Sequence, residues 1–276
     1  MKPNYIPCRE LQHLNPRKKQ ACPLCGQLQT IMMRGKTHDL ETDEIGVVGD
    51  RGYSFCNCRN IFFTDWKNID LGHYDDTYID FVKGGEQERH TREIEVEKQW
   101  EIVQRFISKA KSLLNVGDYE DTFLDYLKKK DWNNMSLTTI DIIPRESHHR
   151  LLIGNFEDYE FNEKFDIIWM SHFMEHTKSP KNVLLKAKDL LNPNGIIFNA
   201  MPDTHHIDWT HPLDWHWLVQ EHHVLWNMYD WIDFAKEECG LRCIYRNIST
   251  DVISMTGGGT IIYWIEESRT IFKLQS

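Results

Sequence analysis

Ser112-Leu-Leu-Asn-Val-Gly117-Asp-Tyr-Glu-Asp121 is the stretch on which the reading of this chain turns. Ser112 to Val116 is an apolar run of strand length that ends at a glycine. Thr122 to Lys130 follows with helical character, and Leu137 to Ile143 is a second strand carrying Asp141. Strand, helix and strand in that order form a βαβ unit, because two parallel strands need a crossover between them.

The same alternation runs on in both directions. Leu151 to Ile153 is a short strand, Phe165-Asp-Ile-Ile-Trp-Met170 a buried one, Lys181 to Leu191 a helix and Gly195 to Ala200 a further strand. Trp231 to Glu238 is helical, and two strand-like runs, Leu241 to Ile248 and Thr260 to Glu266, close the chain. Upstream, Ile94, Val96, Trp100, Val103, Phe106, Ile107 and Ala110 place an apolar stripe on a helix predicted over Arg89 to Lys111. The expected architecture is α/β, with a mostly parallel sheet covered on both faces.

Composition narrows the function. At 276 residues the chain is long enough for one large domain or a medium domain with an added module. A formal net charge of -10 argues against a nucleic-acid partner, since phosphate affinity rests on lysine and arginine. No apolar run approaches the roughly 18 residues of a membrane span or resembles a signal peptide, so a cytoplasmic location and no membrane contact are expected.

The chain has 7 cysteines. An odd number without a secretion signal favours metal binding or free thiols over a disulfide framework. Cys22-Pro-Leu-Cys25-Gly is a tight two-thiolate knuckle, and Cys56-Asn-Cys58 supplies a second pair. Four thiolates suit a structural tetrahedral Zn²⁺ with no open position for substrate. The single residue inside the second pair departs from the usual gap, and His38 is an alternative ligand. The expected organisation is an arm over residues 1–20, a zinc-ribbon-like module over 21–72 and the α/β domain over 73–276.

Gly117 after the first strand, with Asp141 ending the second, is the layout of a nucleoside-cofactor site, in which an acidic residue accepts the ribose hydroxyls. A turn or capping role for Asp141 is the competing reading. Further on, Phe165-Asp-Ile-Ile-Trp-Met-Ser-His-Phe-Met-Glu-His176 is a strand running into a polar loop. This run resembles the class I S-adenosylmethionine-dependent methyltransferases, whose fourth strand commonly leads into Leu-Glu-His; Met174-Glu175-His176 stands in that place. The order of CPLCG, the CNC pair and the Tyr74 to Tyr78 segment is similar to that of sugar methyltransferases with a zinc module ahead of the catalytic domain. The resemblance implies a Rossmann-like fold with a mostly parallel seven-stranded sheet. It also implies S-adenosylmethionine contacts by Asn115, Gly117, Tyr119, Asp141, Ile142, Asn155, Phe156, Ser171 and His172. The family's glycine-rich turn keeps one glycine here, with Tyr119 and Asp121 in the place of others, at a conformational cost of order 1 kcal/mol.

His205, His206, His211, His216, His222 and His223 are interleaved with Trp209, Trp215, Trp217 and Trp226. Aromatics at this density are either core or an apolar wall over the site, and histidines there can move protons. Gln220-Glu221-His222-His223 resembles the Glu-His pair of the sugar methyltransferases, which implies acid-base roles for Glu221, His222 and His223. Asp203, His205, His206, Asp208 and His211 are an alternative metal-binding set. The expected activity is methyl transfer to a small polar acceptor: a sugar, nucleotide-sugar or glycan. The other reading is a methyltransferase-like fold that serves as a binding or scaffolding subunit, and the turn at Asp118 to Asp121 separates the two.

Overall fold

The computed structural model describes residues 19–39, 44–64, 86–118, 121–130, 132, 134–208, 215, 217–218, 222–256 and 260–275. The expected N-terminal arm, the Tyr74 to Tyr78 segment, Tyr119, Trp209, His211, His216 and Glu221 lie outside them, as does the side chain of His38.

Four antiparallel strands come first: β1 (Lys19–Ala21), β2 (Leu28–Asp39), β3 (Glu44–Cys56) and β4 (Ile61–Phe63). Then follow α1 (Glu86–Val103), β5 (Ser112–Val116), α2 (Thr122–Lys129), β6 (Ser136–Asp141), β7 (Arg150–Ile153), β8 (Phe165–Ser171), α3 (Pro180–Asp189), β9 (Leu191–Pro202), β10 (Val224–Leu225), α4 (Met228–Cys239), β11 (Leu241–Thr256) and β12 (Thr260–Leu274). The large sheet has seven strands in the order β11-β12-β9-β8-β5-β6-β7. Strands β7, β6, β5, β8 and β9 are mutually parallel, and β12 runs antiparallel to both β9 and β11. This is the Rossmann-like order expected of the methyltransferase fold, with the reversed strand inserted next to the sheet's edge.

The period-two geometry of strands explains why the central strands are apolar throughout. Leu113, Ile167 and Ile196 pack with Trp100 and Val103 of α1 and Phe123 and Leu127 of α2. Their chain neighbours Leu114, Ile168 and Ile197 pack on the opposite face with Val183 and Leu184 of α3 and Trp231 and Phe234 of α4. Successive side chains point to opposite faces, and helices bury both.

Two expectations need correction. The helix read as far as Lys111 ends at Val103, followed by one 3-10 turn over Gln104–Phe106. The carboxylate of Asp166 accepts the amides of Lys111 and Ser112 (2.6 and 3.1 Å), which draws the chain out of the helical path and into β5. The histidine and tryptophan stretch hides a two-residue strand that periodicity could not reveal: β10 pairs antiparallel with β4 and becomes the fifth strand of the N-terminal sheet. Cys22, Cys56, Ile61 and Phe63 accordingly share one apolar cluster with Val224, Trp226 and Trp231.

Candidate active site

The first three parallel strands set out the expected cofactor residues along their carboxyl ends. Gly117 leaves β5 at φ +70, and a Cβ there would stand 3.1 Å from the ring of Phe173. Glycine is therefore required twice, for the left-handed backbone and for the close ring. Asn115 is buried and donates to Asp118 at 2.7 Å. Asp141 ends β6 with its Oδ1 accepting the Ile143 amide at 2.9 Å, a turn role that leaves Oδ2 for other partners. Ile142 lies half-buried beside it. Beyond β7, the Asn155 side chain accepts the Glu157 amide, and Phe156 is buried edge-on to Phe173.

Arg145 is the residue that the sequence reading missed here. Its guanidinium donates to the carbonyl of Asp118 and to Asp121 Oδ1 (2.8 Å) and approaches Asp141 Oδ2 at 3.5 Å. It thus ties the turn after β5 to the end of β6 and offsets the negative charge that the degenerate turn brings together. Burial, with Asp121 beside it, pushes the Asp118 carboxyl up to about 6 in spite of Arg145. Asp121 keeps a left-handed backbone (φ 56) at the start of α2, and its second oxygen accepts the Ser147 hydroxyl. The residues present fit a nucleoside cofactor: an unhindered glycine corner, an acceptor at the end of the second strand and a cation that offsets the acidic turn.

The carboxyl end of β8 carries a second group of residues. His172, in a left-handed conformation (φ 49), is surrounded by carboxylates: Nδ1 lies 3.1 Å from Glu175, and Nε2 lies 3.1 Å from Glu95 and 3.0 Å from Glu267. Burial opposes charge on the ring, but the hydrogen bonds to Glu175, Glu267 and Glu95 outweigh it, and its pKa is raised well above the ordinary value. Burial would likewise raise Glu175, yet His172 and the neighbouring histidines bring it down to about 2. Gln99 bridges Glu267 and Ser171, and Arg269 pairs with Glu267. Ser171 and His172 therefore face a polar network drawn from α1, β8 and β12. Glu95 and Glu267 were missed because they are remote in sequence, although two glutamates inside the strand-like Tyr263-Trp-Ile-Glu-Glu-Ser268 are a signal of sorts.

His222 and His223 are both buried. The Nδ1–H of His222 donates to the Trp217 carbonyl at 2.8 Å, and burial, with His176 adjacent, lowers its pKa to about 3, so the ring is neutral. The amide of His223 donates to the Glu175 carbonyl at 2.6 Å. Trp217 stacks on His172 and on His222, with centroids 5.1 and 5.6 Å away. The alternative metal set around Asp203 does not assemble among the described residues. Both Asp203 oxygens accept backbone amides, from His205 at 2.8 Å and Met228 at 3.1 Å, which caps a 3-10 turn and fixes the start of α4.

The cysteine pairs meet as expected. Cys22 and Cys25 lie on the turn after β1, closed by Gly26 at φ +74; Cys56 ends β3 and Cys58 lies on the turn that follows, closed by Asn60 at φ 47. The Cys22–Cys58 and Cys25–Cys56 sulfurs are 3.7 and 3.6 Å apart, near the edge of about 3.8 Å for a tetrahedron of sulfurs at 2.3 Å from Zn²⁺. Burial raises Cys22 to about 11 and Cys58 higher still, so a cation is what allows thiolates to accumulate there. The cluster is compatible with a tetrahedral metal.

Sheet order, glycine corner and strand-end acid together define a class I methyltransferase. The model of the family described as a methyltransferase domain matches residues 89–237, and the chain belongs to that family. It is an S-adenosylmethionine-dependent methyltransferase. Similar solved structures include a chain of the complex between the Haloferax volcanii Trm112 methyltransferase activator and a methyltransferase (14% identity, TM-score 0.48, covering 66% of this chain and 93% of that one). Others are an S-adenosylmethionine-dependent methyltransferase from Clostridium acetobutylicum (10% identity, TM-score 0.45, 65% and 92% covered) and the Burkholderia thailandensis 1,6-didemethyltoxoflavin-N1-methyltransferase (10% identity, TM-score 0.47, 83% and 97% covered). No curated protein sequence matches the chain. Among the described residues, no helix is long and apolar enough to cross a membrane.

Proposed function

We propose that the methyl acceptor is a small hydroxyl-bearing molecule of the sugar, nucleotide-sugar or glycan class. The carrying observation is Trp217, an indole stacked on two imidazoles beside the carboxylates around His172. Sugar rings present apolar C–H faces and a rim of hydroxyls, and an aromatic face next to convergent polar groups complements both. S-adenosylmethionine, when bound, supplies the electrophilic methyl group. Gly117, Asp141 and Phe156 are the residues that would hold it, with Asn115, Tyr119, Ile142, Asn155, Ser171 and His172 completing the set.

His222 is assigned to the acceptor's proton, with His223 and Glu221 as its neighbours in sequence. Its Nδ1–H is committed to Trp217, so Nε2 carries the lone pair that a hydroxyl proton needs. The four cysteines are assigned to a structural zinc that holds the N-terminal sheet, and a cytoplasmic setting suits free thiols in such a site.

The test is transfer of labelled methyl from S-adenosylmethionine to a panel of nucleotide sugars, free sugars, amines and thiols, using the full chain. Transfer to a hydroxyl of a sugar-containing member is expected, and His222→Ala should lower turnover by roughly 10² to 10⁴ with little change in S-adenosylhomocysteine affinity. Transfer confined to amines or thiols would overturn the acceptor assignment.

A further inference from the structure

Glu175, His176 and His222 each offer a ligand atom, and these atoms lie within 4.8 Å of one another beneath the loop that follows β8. We infer that they form a second metal site, for one divalent first-row ion, separate from the cysteine cluster. Glu175 follows β8 on a 3-10 turn, His176 is the next residue on that turn, and His222 arrives from the chain just before β10. The site therefore exists only where the turn and the N-terminal sheet's fifth strand meet.

Three independent features point to a cation. The Glu175 side chain is 1% exposed, one oxygen faces His172, and the other, Oε2, is buried without a hydrogen-bond partner. A desolvated carboxylate oxygen left without a donor is costly, and a bound cation removes that cost. His222 donates Nδ1–H to a backbone carbonyl, which fixes its tautomer and orientation and leaves the Nε2 lone pair, as outer-sphere carbonyls do for metal-bound histidines. Finally, Glu95, Glu175 and Glu267 surround His172, and Arg269 is the further cation paired with Glu267, so the carboxylates outnumber these two cations in a largely buried cluster. Two imidazoles and a carboxylate suit Zn²⁺, Fe²⁺, Co²⁺ or Mn²⁺ and leave open positions for an oxygen ligand.

In its chemical consequence the inference rests on the acceptor reading above. An acceptor hydroxyl on an open position of the ion would have its pKa lowered, and His222 would then promote deprotonation as a ligand instead of as a free base.

The test needs neither acceptor nor cofactor, so its failure is distinct from failure of that reading. Full-length protein with its cysteine site loaded with zinc is titrated with Co²⁺ alone, followed by metal analysis and visible absorption. One Co²⁺ per chain beyond the zinc, lacking thiolate-to-cobalt charge-transfer bands, is the expected result. Glu175→Gln and His176→Ala should each weaken it at least tenfold while the zinc stays. His176 is only half-buried, so its variant tests the site even if the Glu175 substitution does not fold. No Co²⁺ bound beyond the zinc, or binding undiminished in His176→Ala, would overturn the site.

Discussion

Tyr53 on β3, the middle strand of the N-terminal sheet, donates its phenol hydrogen to the backbone carbonyl of His222, 2.6 Å away, and is itself buried. Just past β4, the amide of Thr64 donates to the carbonyl of His223 at 3.0 Å. The cysteine-bearing sheet therefore sets the position of the candidate catalytic histidines.

Loss of the cysteine-site metal should consequently reach the active site. Cys25→Ser, or chelation, is expected to abolish zinc content, lower the melting temperature and reduce methyl transfer, because Cys22 and Cys56 share a cluster with Trp226 and Trp231. Tyr53→Phe, which removes one buried hydrogen bond, should cost about 1 kcal/mol in denaturant unfolding and lower turnover more than it changes S-adenosylhomocysteine affinity. Unaltered turnover after complete zinc loss would separate the module from the site.

At the glycine corner, Gly117→Ala must adopt φ +70 and push against Phe173 at 3.1 Å. The expected loss is roughly 1 to 3 kcal/mol of stability, with weakened S-adenosylhomocysteine binding in calorimetry. Pairing it with Phe173→Leu should recover part of the steric component and none of the backbone component.

Asp141→Ala is expected to weaken S-adenosylhomocysteine by about 1.5 to 3 kcal/mol, the range for hydrogen bonds to a charged group. Arg145→Ala should weaken it too, and should also destabilise the fold, since Asp118, Asp121 and Asp141 then lose their shared cation. Equal affinity in Asp141→Ala and wild type would leave Asp141 with its turn role alone.

The Asp118 carboxyl, at about 6 in the folded protein against an ordinary 3.8, holds its proton more tightly folded than unfolded. Its contribution therefore favours folding at low pH and is lost as pH rises from about 4 through 6. Asp118→Asn should be stabilised relative to wild type by about 1 kcal/mol at pH 7, with the difference fading by pH 4; the solvent-accessible part of the turn and the weaker, uncharged acceptor left for the Asn115 and Phe123 donors keep the gain small. Parallel stability curves for the two proteins across that range would sink the assignment.

Local pattern was enough for the α/β frame. Leu113-Leu114, Ile167-Ile168 and Ile196-Ile197 are apolar on both faces, which only a sheet covered on both sides accommodates, and the knuckle Cys22-Pro-Leu-Cys25 carries its geometry in its spacing. The turn at Gly117 and the strand-end place of Asp141 were likewise legible, since a positive φ and a strand end are local requirements. What surrounds His172 was not. Glu175 is three residues from His172, but Glu95 and Glu267 come from remote segments, and only the packing of α1 and β12 against the end of β8 brings their carboxylates within 3.1 Å of the same ring. The strand β10 is legible only in its pairing with β4, because two residues carry no periodicity. The sequence by itself determined the frame and the pairing of cysteines into one cluster; tertiary structure decided which charges are desolvated together, because desolvation depends on neighbours far along the chain.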